Sequence, residues 1–258
     1  MPAFDPGIDV RIGWNPMSIA YGPGVSGPEP EFRRLRDIRA SLKDPDCDGP
    51  DPVYAIAMDV GEDGDCEELH ACHLLFGVVV FAAGRLGAEP VRSQGHVHKV
   101  AAHSGWPAPE IFEIWSGKGV IYMQESAADN PGRCFAIEAL AGDKVVVPPA
   151  WAHAVISADP EQPLVFGAWC ERDYGFVYEG VRAHGGLAWF PEIAGGLSWQ
   201  PNPRYATGEI IERRARGYPE LGLSATRPLY RHFRDDVEAV EWVAFPDRHA
   251  DHWQSFEP

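Results

Sequence analysis

Gln94-Gly95-His96-Val97-His98 is the stretch on which the reading of this chain turns. Its two histidines stand two apart, and alternate side chains of an extended strand point to one face. Both imidazoles then share a face, which is half of a metal site. Around this stretch the sequence is punctuated for short strands. Residues 53–58, 74–82, 91–98, 111–115, 119–124, 134–140, 144–147, 153–157 and 163–170 are apolar or β-branched runs set off by turn residues. So many short strands predict an all-β sandwich or barrel.

Composition agrees. The 258 residues hold 27 Gly and 24 Pro, punctuation that suits strands and turns better than long helices. Apolar residues make up 45% of the chain, enough for a sizeable core. A net charge of -16 opposes binding to phosphate backbones and anionic lipids, so neither nucleic acid nor membrane is expected as a partner. The five cysteines include no C-x-x-C pair, which argues against a disulfide framework or a thiolate zinc site. With no basic and apolar leader at 1–15 and no apolar run of ~18–20 residues, a soluble cytoplasmic protein is expected.

Outside the strands, three segments are expected to pack on the barrel: an arm and short helix at 1–52, and an extension at 206–258, flank a barrel at 53–205. Phe32, Leu35, Ile38 and Leu42 have helical spacing, which predicts a helix over 31–43. Residues 209–216 read as a helical turn or two. Trp242, Phe245, Trp253 and Phe256 mark the tail as packed on the barrel or on a second subunit. The Pro-rich arm permits a homodimer. His70, His73, His232, His249 and His252 read as surface residues.

Two longer intervals complete the opening motif. Glu110 stands seven positions before Gly117, and Gly142 leads through Pro148 to His153. The pattern resembles the two cupin motifs, H-x-H…E-x6-G and G-x5-P-x4-H. That resemblance implies a double-stranded β-helix of the jelly-roll type, with His96, His98, Glu110 and His153 pointing into the barrel as metal ligands. Four N/O ligands leave open positions on one divalent transition metal, with Fe, Mn, Ni and Zn all suitable. Glu113 lies on the opposite strand face from Glu110 and reads as solvent-facing or as a supporting residue behind the ligands. The interval from His98 to Glu110 is longer than usual in cupins. Its insertion, 99–109, carries His103 and reads as a lid or loop at the barrel mouth.

A narrower family resemblance rests on further stretches. Gly95-His96-Val97-His98, Pro109-Glu110-Ile111-Phe112, Val147-Pro148-Pro149-Ala150-Trp151-Ala152-His153, Asp173-Tyr174-Gly175 and Asn202-Pro203-Arg204-Tyr205 resemble motifs of the cupin-type phosphoglucose (glucose-6-phosphate) isomerases. The resemblance spans about residues 32–205. It implies a metal-dependent aldose–ketose isomerase acting on a sugar or sugar phosphate. Glu110 is implied as the proton-transferring carboxylate if an enediolate forms, and a hydride shift uses the same residues. Tyr54, Ser93, Gly95 and Tyr174 match positions that line that family's substrate pocket. Val79, Phe112, Ala150 and Arg172 depart from its pattern, and Arg172 is well suited to a phosphate. A cupin metal-dependent oxygenase and a non-catalytic carbohydrate-binding cupin are the alternative readings.

Overall fold

The computed structural model describes residues 4–173, 175–206 and 208–258. Its principal strands are β1 (Val10–Trp14), β2 (Met17–Tyr21), β3 (Glu31–Arg33), β4 (Tyr54–Met58), β5 (Leu74–Phe81), β6 (Val97–His98) and β7 (Glu110–Ser116). They continue with β8 (Lys118–Gln124), β9 (Cys134–Leu140), β10 (Lys144–Val147), β11 (Ala152–Ser157), β12 (Leu164–Glu171), β13 (Phe176–Val177) and β14 (Ile210–Arg214). One sheet has the order β10-β7-β12-β5-β4-β3 and the other β11-β8-β9-β14. All neighbours are antiparallel except β9 and β14. From β9 to β12 the chain alternates between the sheets, giving the jelly-roll barrel that the cupin spacing implies.

Side-chain alternation sorts the core into layers. Leu75, Val79 and Phe81 of β5 share the barrel interior with Phe112, Ile114, Phe166, Ala168 and Cys170, and with Ile121, Phe135 and Val155 of the second sheet. The other face of β5, with Leu74, Phe76, Val78 and Val80, packs with Trp115 and Trp169 under the two chain ends. Both ends contribute to that outer layer: Ile8 and Ile19 from the arm, and Leu229, Tyr230, Phe233, Trp242 and Phe256 from the tail. Covered on both faces, β5 and β12 are buried along their whole length, which is why their sequences lack a polar alternation. Gly167 in β12 marks the tightest point of this layer. A Cβ there would lie 2.5 Å from Phe76 and 2.6 Å from Trp115.

Several expectations are corrected. The helix over 31–43 is β3 followed by one helical turn, Leu35–Ile38, and a short 3-10 segment, because Glu31–Arg33 pair with Tyr54–Ile56. Phe32 is accordingly exposed while Leu35, Ile38 and Leu42 are buried. Residues 209–216 form strand β14 beside β9, with Ile210 and Ile211 packing against opposite core layers, which only a two-residue period allows. Residues 91–98 are regular only at β6. Gly95 has φ +86 and breaks the strand, leaving single bridges at Arg92–Ile156 and His96–His153. Glu113 is fully buried beneath the tail, 3.0 Å from the Lys144 ammonium, and accepts from the Leu229 N–H at 2.9 Å. Removing either member of such a buried pair costs about 3–5 kcal/mol.

His232 also proves to be a core residue, 1% exposed in the helix Leu229–Asp235. Its Nε2 accepts from the Ser224 N–H at 3.3 Å. Burial, with the Lys144 charge nearby, lowers its pKa from 6.5 to about 4. The unfolded chain therefore takes up a proton near pH 6.5 that the folded chain refuses until about pH 4. The stability from the neutral ring is complete above 6.5 and is lost as pH falls through this window, by about 3 kcal/mol in all. Urea unfolding at pH 7 and pH 4.5 is expected to show a steeper loss for the wild type than for His232→Leu. Equal losses would contradict this assignment.

Candidate metal centre

Four elements deliver the four side chains named by the motifs. His96 bridges to His153 near the start of β11, and His98 ends β6, paired with Phe176 of β13. Glu110 opens β7 opposite Val147 of β10, where alternation turns it inward with Phe112. One ligand atom from each of His96, His98, Glu110 and His153 lies within 4.8 Å of the others. His98, Glu110 and His153 are buried, and His96 is nearly so.

The hydrogen bonds orient the rings for a cation. His98 Nδ1 lies 2.9 Å from the Ala108 carbonyl and His153 Nδ1 lies 3.1 Å from the Trp151 carbonyl, so both Nδ1 atoms carry protons and donate. That leaves Nε2 of each ring to donate to Glu110 when it is protonated, or to offer its lone pair to a metal when the ring is neutral. Those Nε2 atoms face Glu110 Oε2, at 3.1 Å from His98 and 3.0 Å from His153. Among the described residues, the buried Nε2 of His96 has no hydrogen-bond partner. Three imidazole lone pairs and a carboxylate converging on one point fit a first-row divalent metal with N/O preference.

The electrostatics point the same way. Burial alone raises the Glu110 carboxyl, but hydrogen bonds from His153 and His98 outweigh it and hold the group well below the usual carboxylate range. Burial, reinforced by the neighbouring His153 and His98, drives His96 well below its usual value and keeps it neutral. Glu110 has one more partner that no motif signalled. The buried Cys170 thiol donates to its Oε1 at 2.9 Å. The only sequence signal for that contact is the alternation of Phe166, Ala168 and Cys170 toward the barrel interior.

The pocket above His96, Glu110 and His153 is mainly apolar, walled by Val79, Phe112, Val155 and Phe166, with Phe176 against His96. Its polar groups are Tyr54, Ser93, Gln94, Tyr178 and Arg33. Of the positions implied by the family resemblance, Tyr54 and Ser93 line this pocket. Ser93 Oγ accepts from the Val155 N–H at 3.1 Å and keeps its own proton to donate. Tyr174 lies outside the described residues. Arg172 is a correction: its guanidinium is held bidentately by Asp59 at 2.7 Å and also donates to the Leu74 carbonyl, away from the pocket. Arg33 is the cation that lines the pocket instead, paired with the exposed Glu31 at 2.7 Å. The helix expected over 31–43 leaves Arg33 off its apolar face, whereas the strand Glu31–Arg33 brings it to the pocket. Of the departures from the family pattern, Val79 and Phe112 line the pocket, while Ala150 is exposed at a left-handed turn.

Gly95 stands between two pocket-lining residues, Gln94 and His96, and a Cβ on it would meet the Leu187 side chain at 2.9 Å. Its left-handed backbone lets the chain turn between Ser93 in the pocket and the two histidines. A non-glycine residue held in that region costs about 1–3 kcal/mol. Gly95→Ala is therefore expected to lose that much stability in urea unfolding of the metal-free chain. Unchanged stability would assign this glycine to ligand contact instead.

A family model described as glucose-6-phosphate isomerase matches residues 33–206. The chain is 27% identical over 190 residues to the glucose-6-phosphate isomerase of Thermococcus litoralis, covering 70% of this chain and 90% of that protein. Among solved structures, an oxalate oxidase shares 15% identity with a TM-score of 0.36, over 48% of this chain and 54% of that one. Vicilin from Corylus avellana shares 12% with a TM-score of 0.36, over 50% and 33%. The chain thus spans about half or less of those structures. The match to the family model covers well over half of the sequence, including both halves of the metal motif and Arg33: the chain belongs to the glucose-6-phosphate isomerase family.

Proposed function

We propose that the chain is a metal-dependent aldose–ketose isomerase, interconverting glucose 6-phosphate and fructose 6-phosphate or a closely related pair. The observation that carries this reading is the convergence of His96, His98, Glu110 and His153, three of which (His96, Glu110 and His153) line a pocket whose other groups include Arg33 and Tyr54. These four residues would hold one divalent ion, Fe, Mn, Ni or Zn. When bound, that ion supplies Lewis acidity toward the oxygens of an open-chain sugar.

The remaining work falls to the chain's own groups. Glu110 is the one carboxylate lining the described pocket, and in this reading it holds the proton exchanged between C1 and C2. The Cys170 thiol keeps that carboxylate aimed inward. The apolar wall of Val79, Phe112 and Phe166 excludes water from the reacting carbons. Gln94 is oriented by Arg182, which donates to its Oε1 at 3.1 and 2.9 Å, and Gln94 and Ser93 offer donors to sugar hydroxyls. Arg33 and Tyr54 form the end suited to the phosphoryl group, because a guanidinium makes charge-assisted bonds to phosphate oxygens.

An assay of glucose 6-phosphate against fructose 6-phosphate, with the chelated chain reloaded with each of the four metals, tests this reading. Interconversion without oxygen uptake is expected, as is its loss in Glu110→Gln by at least a hundredfold. No conversion of any aldose–ketose pair with any of these metals would overturn it. Arg33→Ala is expected to raise KM for the sugar phosphate about 10- to 100-fold with little change in kcat, the pattern for a group that binds ground and transition states alike. An unchanged KM would remove Arg33 from phosphate binding.

A further inference from the structure

A second group of His and carboxylate side chains lies on the other face of the strand that supports the first. Along β12, Cys170 turns inward to Glu110 while Glu171 turns outward. Around Glu171 gather His73, which immediately precedes β5, His103 from the 99–109 insertion, and Asp173. One ligand atom from each of the four lies within 4.8 Å of the others.

The hydrogen bonding of this group leaves a gap of cation size. His103 Nε2 lies 2.8 Å from the Ala244 carbonyl, so it carries the proton and donates. The Nδ1 lone pair of the neutral ring then points toward Glu171 Oε1 at 3.7 Å, too far for a hydrogen bond. That Nδ1 is buried and has no hydrogen-bond partner among the described residues. The Glu171 side chain is 97% buried, and its Oε1 accepts only the Asp173 N–H, at 2.8 Å, among the bonds described. The His73 ring stacks on His103 with centroids 4.2 Å apart, and Phe245 packs edge-on against both. Asp173 is exposed and leaves a way in from solvent. A ring whose far N–H is anchored to a backbone carbonyl, with its near lone pair facing a buried carboxylate, repeats the arrangement of His98 and His153 in the first group.

We propose that His73, His103, Glu171 and Asp173 form a second site for a divalent cation with N/O preference, such as Zn(II), separate from the proposed catalytic metal. Its position gives it a structural task. The insertion leaves His98, touches the second group through His103 and returns to Glu110, so an ion there pins the loop that spans two of the first group's side chains. Through Ala244 it also ties that loop to the tail.

Zinc stoichiometry tests the proposal. The full chain, stripped with a chelator and desalted, is titrated with Zn(II) by calorimetry, and retained metal is counted after gel filtration. Two equivalents are expected for the wild type. One is expected for His103→Gln, whose amide can still donate to the Ala244 carbonyl, and one for His98→Ala. His73→Ala, altering a half-buried ring, provides the same test if His103→Gln does not fold. Saturation of the wild type at one equivalent would overturn the proposal. Two equivalents retained by the altered second site would overturn it as well.

Discussion

A carboxylate sealed inside an apolar barrel is costly unless it is paired, and the arrangement around Glu110 follows from that constraint. Its Oε2 is shared by the His98 and His153 rings, and its Oε1 takes the Cys170 thiol. Each of those two rings is in turn held by a backbone carbonyl on its far side. Four strands in three sheets must meet in one register for this to happen: β6, β7, β11 and β12. The barrel is the device that sets that register.

The outer layer explains why the chain carries so much sequence beyond the barrel. β5 and β12 are apolar on both faces, so the six-stranded sheet needs a cover on its outer side. The arm and tail supply it with Ile8, Ile19, Tyr230 and Trp242. Glu113 and Lys144 form a buried pair under that cover, and the Leu229 N–H completes it. The same tail reaches the insertion through Ala244 and His103. The cover and the strands that carry the Glu110 cluster are therefore joined, though their side chains point to opposite faces of the sheet.

Much of the barrel and the convergence of the four motif side chains were legible in the sequence. The strands at 74–82, 134–140 and 144–147 appear nearly as read, because β-branched runs between turn residues have few other fates. His96, His98, Glu110 and His153 converge as their spacing implies. The misses share a cause: local periodicity cannot see partners distant in sequence. Phe32 fits a helical face but sits in a strand because Ala55 is its neighbour. His232 looks like a surface residue in a polar stretch but is covered by the fold. Arg172 looked free to bind phosphate because Asp59, more than a hundred residues away, is invisible as its partner. Arg33 was hidden by the same helical reading that misplaced Phe32.

The central claim is that the four buried side chains hold a metal beneath a pocket whose opposite end takes a phosphoryl group. Anomalous diffraction from a crystal of the Mn(II)-loaded chain soaked with fructose 6-phosphate tests it most directly. A metal peak is expected about 2.0–2.3 Å from imidazole nitrogens of His96, His98 and His153 and a Glu110 oxygen. The phosphoryl group is expected beside Arg33 and Tyr54. A metal bound elsewhere with these four side chains left as they are, or a sugar phosphate seated outside this pocket, would contradict it.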